Sequence, residues 1–201
     1  MIFKDRKQAG EKLAKAIQNE FADQDLKNTV VISLLRGGFP IGKTISKRLK
    51  ISHLLLASVK ISSPTNPEYA LGALCFDKIY TPPYADRAQV ETALPEAEEK
   101  FQFYCQRFHL NPEDYIITKG KTILLADDGI ATGATAEAAA LFLRQYQPKD
   151  IIIAVPVAPA DYQPENFDDE IILHKDPDFY SVSQFYKEFP QVSPQQILSQ
   201  L

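Results

Sequence analysis

The stretch Ile123-Leu124-Leu125-Ala126-Asp127-Asp128-Gly129-Ile130-Ala131-Thr132-Gly133-Ala134-Thr135 restricts this chain more than any other. Four apolar residues run into two carboxylates and then into a loop of Gly, Ala and Thr. A helical pattern, Ala134 to Gln147, follows at once. An apolar run bounded by small residues suits a buried parallel strand whose end meets a helix N-terminus. In open α/β sheets, ligands collect outside the carboxyl ends of the strands. The first turn of the following helix offers unpaired N–H groups and a partial positive charge, so a phosphate is the expected occupant.

Asp127 and Asp128 would repel an isolated anion. They make sense if the phosphate is tethered to a group that donates hydrogen bonds nearby. The 2′- and 3′-hydroxyls of a ribose 5-phosphate fit, because an ionised carboxylate accepts and cannot donate. Asp127 and Asp128 are then expected to hold the diol. The loop from Gly129 through Ile130, Ala131, Thr132, Gly133 and Ala134 to Thr135 is expected to hold the 5-phosphate. Gly133 lets the backbone approach closely, and Thr132 and Thr135 add hydroxyl donors. The bland alternative is a strand–turn–helix with solvated acids, which Asp-Asp-Gly alone would suit but Thr-Gly-Ala-Thr does not.

A second unit has the same form. Val30-Val31-Ile32-Ser33-Leu34-Leu35 ends in Arg36-Gly37-Gly38-Phe39-Pro40 and leads into a helical pattern. Arg36 offers a fork of donors suited to diphosphate oxygens, and Gly37 and Gly38 expose backbone N–H groups. A tight turn with an exposed Arg is the simpler reading of this loop taken alone. Lys60 closes the next strand as a second candidate cation for the diphosphate, or as a surface Lys.

Apolar and helical patterns alternate along the chain, which argues a doubly wound, mainly parallel α/β sheet. Asp5 is placed to cap a helix over Arg6 to Phe21. Strands are expected over 29–35, 53–60, within 69–79, 115–118, 122–126, 150–157 and 170–173. Helices are expected over 40–49 and 89–108. With 201 residues and no repeat or linker, a single domain is expected.

The Asp127–Thr135 segment resembles the phosphoribosyl-pyrophosphate motif of type I phosphoribosyltransferases, in which an apolar strand leads to two acids and a Thr-Gly-x-Thr loop. Arg36-Gly37-Gly38 is similar to the pyrophosphate loop of the same family, which can carry a non-proline cis peptide. Lys60-Ile61, then Pro64-x-Asn66-Pro67-Glu68 and Gly72-Ala73, is similar to a group of largely uncharacterised bacterial members, over Phe3 to about Val192.

The resemblance implies a core over about 1–158, a small hood from about 159–201 and a mobile loop over about 80–120. It implies transfer of 5-phosphoribosyl from phosphoribosyl pyrophosphate to a nucleobase-like nitrogen, with release of pyrophosphate. Asp127, Asp128 and Arg36 would serve catalysis, with no protein nucleophile. Mg2+ would be held mainly by substrate. Lys100 and Arg107 are the loop cations in reach of the leaving group, although Glu91, Glu96, Glu98 and Glu99 around them suit a solvated helix. Phe179 and Tyr180 are the candidates for stacking on the acceptor, or packing for a helix, and Glu68 is a candidate magnesium or acceptor contact, or an exposed loop acid. Dimers are common in this fold, so a homodimer is expected.

A net charge of −4 gives no general attraction to nucleic acid or an anionic membrane. No spanning segment or signal peptide is read, and Cys75 and Cys105 fit free thiols in a reducing cytoplasm. His53, His109 and His174 are scattered. The competing readings are a sensor that binds phosphoribosyl pyrophosphate or a nucleotide without turnover, a receiver domain, and a metal phosphohydrolase. Too few residues follow Lys121 for a receiver, and the Asp-x-Asp spacing or His ligands of a phosphohydrolase are missing.

Overall fold

The computed structural model describes residues 1–21 and 26–201, apart from the side chains of Pro67 and Glu68. Asp5 accepts from the amide of Gln8 at 2.8 Å and opens α1 (Arg6–Glu20), as its residue type predicts. The chain continues through β1 (Thr29–Leu34), α2 (Phe39–Leu49), β2 (Ser52–Leu56), β3 (Val59–Ser63), β4 (Asn66–Cys75) and β5 (Lys78–Tyr80). There follow α3 (Arg87–Phe108), β6 (Thr122–Ala126), α4 (Ala134–Arg144), β7 (Asp150–Pro159), β8 (Asp169–Asp176) and α5 (Pro194–Leu198).

Among the described residues the main sheet has five strands, all parallel, in the order β2-β1-β6-β7-β8. Every residue of β1 and β6 is buried, which is why both read as unbroken apolar runs. Successive side chains take opposite faces. Val30, Ile32, Ile123 and Leu125 meet α4 at Ala139 and Phe142. Val31, Leu124 and Ala126 meet α1 and α2 at Leu13, Ile17, Ile41 and Ile45. Fully burying each such aliphatic stabilises the fold by roughly 1.5–3 kcal/mol.

The chain winds from β1 through α2 to β2 on one side, and from β6 through α4 to β7 on the other. The strand order therefore reverses between β1 and β6, and the crevice of a doubly wound sheet opens at that point.

Several expected elements differ. The run 53–60 is two strands, because the chain leaves the main sheet at Ala57 and Ser58, both buried as it crosses to a second layer. There β3, β4 and β5 form a small antiparallel sheet, with a turn at Phe76-Asp77 splitting the run expected over 69–79. The hood thus includes residues 59–80, whereas 159–201 gives β8 to the edge of the main sheet. Residues 115–118 are not a strand. Pro112–Thr118 is a 3-10 helix opened by reciprocal Asn111 and Asp114 capping, and both neighbours of β6 are already β1 and β7. The helix expected over 89–108 is present as α3, capped by Asp86 and packed on β3 and β4 through Phe101, Tyr104 and Phe108. Among the described residues no helix is long and apolar enough to cross a membrane.

Candidate active site

β1 and β6 are neighbours in register, Ser33 beside Ala126, so the loops that follow them leave the same sheet edge side by side. The peptide between Leu35 and Arg36 is cis, in line with the resemblance. A Cβ on Gly37 would overlap the Asp128 carboxylate, and one on Gly38 would overlap the carbonyls of Ala126 and Leu34. The two glycines are therefore what lets one loop lie against the other.

A cavity of about 310 Å3 opens where the loops meet. Arg36, Gly37, Asp127, Asp128 and Thr135 line it, along with Ser58 from the β2–β3 crossing. Tyr104 of α3 and Gln191 and Val192 of the C-terminal segment complete the wall. Arg36 is half-buried, and among the described residues nothing accepts a hydrogen bond from its guanidinium. It is free to meet an anion in the cavity.

The acid pair is tightly constrained. The amide of Asp128 donates to Asp127 Oδ1 at 2.8 Å. Asp128 Oδ2 accepts from Arg6 Nε at 2.8 Å and from Arg6 Nη2 at 2.8 Å, and its carbonyl accepts from Tyr186 Oη at 2.7 Å. Burial, then the charge of Asp128, pushes the Asp127 carboxyl well above the usual carboxylate range. Burial raises Asp128 as well, and the Arg6 guanidinium opposes that rise.

Gly133 sits at φ +81° at the start of α4, and a Cβ there would also strike the Tyr162 ring. Ala131 and Thr132 are exposed, and the amides of Thr132, Gly133 and Thr135 meet no acceptor among the described residues. Those unpaired donors lie at the N-terminal end of α4, a chemistry that suits an anion. Ile130 does not belong to it. Its side chain is 3% exposed in the core and its amide donates to the Val157 carbonyl, so it anchors the loop.

The other expected contacts are less assembled. Lys60 stands on β3, two residues beyond Ser58, and is not in the cavity wall. Phe179 stacks on Phe185 with centroids 5.4 Å apart, and Tyr180 is 94% exposed. Lys100 and Arg107 lie on α3, which presents Tyr104 to the cavity instead. The Glu68 side chain lies outside the described residues, although its backbone is in β4. A second cavity of about 270 Å3 lies against Ala131, Thr132 and Ala134, with Tyr80, Tyr84 and Tyr162 around it.

Sequence reasoning missed Arg6, Ser58, Tyr104, Tyr186 and Gln191. None has a local signature, because each reaches the site from a distant element.

The family model of the phosphoribosyl transferase domain matches residues 2–188. A Mycobacterium tuberculosis protein named "Putative phosphoribosyl transferase" is 31% identical over 208 aligned residues, covering 98% of this chain and 46% of its own. The chain therefore spans about half the length of the curated relatives it matches. A Thermus thermophilus protein of known crystal structure superposes with a TM-score of 0.73 at 29% identity, covering 99% of this chain and 97% of that one. A hypoxanthine-guanine phosphoribosyltransferase of Bacillus anthracis shares the fold, with a TM-score of 0.52 at 14% identity over 89% of this chain and 85% of that one.

Proposed function

This chain belongs to the phosphoribosyl transferase domain family, and on that premise we propose that it moves 5-phosphoribosyl from phosphoribosyl pyrophosphate to a nucleobase-like nitrogen, releasing pyrophosphate. One observation carries the reading. The Arg36-Gly37-Gly38 loop and the Asp127–Thr135 loop meet at the switch point of the sheet and wall a single cavity.

In this reading the donors around Thr132, Gly133 and Thr135 bind the 5-phosphate at the positive end of α4. Asp127 and Asp128 accept from the ribose hydroxyls and offer negative potential as positive charge develops at C1. Arg36 and the neighbouring amides stabilise the departing pyrophosphate. The C1–oxygen bond breaks as the nitrogen–C1 bond forms, and the acceptor nitrogen loses its proton. Tyr104, Gln191 and Val192 exclude water from a cation that water would capture.

Among the described residues no three metal-ligating side chains cluster. In this reading the cation would ride on the phosphate oxygens of the substrate, which Mg2+ prefers to a cage of protein ligands. Bound there, Mg2+ would neutralise charge on the diphosphate.

The test is pyrophosphate release from phosphoribosyl pyrophosphate and magnesium across purine and pyrimidine bases, with a no-base control. Stimulation by one base supports the transferase reading and names the acceptor. Tight binding without release under any base would replace it with a sensor.

A further inference from the structure

Arg6 is 122 residues from Asp128 in sequence, yet its side chain is 10% exposed and directed at that carboxylate, itself 14% exposed. Both Nε and Nη2 converge on Oδ2, so the fork closes on one oxygen instead of bridging two. The third arm, Nη1, donates to the Pro190 carbonyl at 2.7 Å, and the guanidinium lies 3.7 Å from the centre of the Phe189 ring. Behind it the N-terminal residues pair with the C-terminal segment. Phe3 donates to the Phe185 carbonyl, Lys187 to Phe3 and Glu188 to Lys4. Tyr186 closes the ring by donating to the Asp128 carbonyl. The arginine is thus fixed from three sides.

The arrangement answers a charge problem. Two carboxylates share one cavity with a ligand that carries phosphate at both ends. Arg36 faces the same cavity, but among the described residues Arg6 is the cation that pairs with a carboxylate of the acid pair. We propose that Arg6 is the positioning residue of the sugar site: it fixes Asp128 and offsets its charge, so that both carboxylates can meet the ribose hydroxyls and Asp127 sets the acid limb of binding. The groups facing the pair are Arg6 from α1, Tyr186 from the C-terminal segment and Arg36 across the cavity. The raised carboxyl of Asp127, pushed up by burial and by Asp128, accords with this division of roles. The inference rests on the phosphoribosyl reading above.

The experiment is calorimetric titration of the full chain with phosphoribosyl pyrophosphate and magnesium from pH 5 to 8. It is paired with carboxyl 13C NMR titration of the ligand-free chain. Arg6→Gln is expected to weaken binding at least tenfold and to move the acid limb upward by about one pH unit, because an adjacent cation lowers a carboxylate pKa by about that much or more. Arg6→Lys keeps the charge and should restore the limb, and Phe189→Leu should leave it in place. If Arg6→Gln does not fold, the lysine variant decides alone: a limb displaced despite the retained cation overturns the inference. Wild-type affinity and an unmoved limb in Arg6→Gln would also overturn it. Failure of the wild-type chain to bind would instead sink the phosphoribosyl reading and this inference with it, whatever the variants do.

Discussion

Gly37 lies so close to Asp128 that a single methyl group on it would overlap the carboxylate, whereas a methyl on the neighbouring Gly38 would overlap backbone. The two positions should therefore fail differently. At Gly37 the obstacle is a carboxylate that can move only by leaving Arg6, and at Gly38 it is backbone. Gly37→Ala is expected to cost about 2–3 kcal/mol through the broken charge-assisted bonds and to lose phosphoribosyl pyrophosphate binding. Gly38→Ala should cost about 1–3 kcal/mol through overpacking. Urea unfolding and a binding titration on both variants separate the two effects.

Arg36 should show the opposite profile to a structural arginine. Its guanidinium has no acceptor among the described residues, so Arg36→Ala should change stability by no more than about 0.5 kcal/mol. Loss of charge-assisted hydrogen bonds to diphosphate oxygens should weaken binding by about tenfold or more. Ribose 5-phosphate, which lacks the diphosphate, should bind the variant and the wild type alike. Equal losses for both ligands would place Arg36 elsewhere.

Glu137 is a buried carboxylate, 2% exposed, on α4. It accepts from the amides of Glu165 and Asn166, from Asn166 Nδ2 and from Tyr162 Oη, and so ties the segment after β7 to the helix that follows the Asp127–Thr135 loop. Glu137→Ala strands those donors and should cost about 2–4 kcal/mol. Glu137→Gln keeps one acceptor oxygen and should cost less. Denaturant midpoints for the two variants give the comparison.

His53 sets an acid sensitivity. Burial, aided by the charge of Lys43, lowers its pKa from 6.5 to about 4, while Ser33 Oγ lies 2.8 Å from Nε2 and Phe39 stacks on the ring. The fold keeps the imidazole neutral and the unfolded chain protonates it first. Its contribution is therefore complete above about pH 6.5 and falls away as the pH drops toward 4. From pH 7 to pH 5 the wild type should lose about 1–2 kcal/mol that His53→Gln does not. Parallel pH profiles for the two proteins would contradict this.

The parts of the site that were legible in sequence are those in which consecutive residues do the work. Asp127 through Thr135 and Arg36 through Gly38 each combine a buried parallel strand, a glycine-bearing loop and a helix start, and periodicity and turn chemistry report all three. Arg6 reads only as the first residue of a helix behind its Asp5 cap, because its partner lies 122 residues away. Ser58 and Tyr104 are equally silent, since the crossing to the second sheet and the rotation of α3 are set by packing. Ile130 shows the reverse limit. It stands inside the motif, but its amide is taken by Val157, a strand neighbour that no local pattern reveals. Tyr115 was misread for the same reason: its buried ring and its hydroxyl bond to Leu55 suit a 3-10 turn under the sheet, not a strand in it.

The most direct measurement is a crystal structure of the chain with phosphoribosyl pyrophosphate and magnesium. The account predicts the 5-phosphate against Thr132, Gly133 and Thr135, the ribose hydroxyls on Asp127 and Asp128, and the diphosphate beside Arg36 and Gly37. Arg6 should still hold Asp128 Oδ2. A ligand seated anywhere else, or an acid pair that turns away from the sugar, would contradict it.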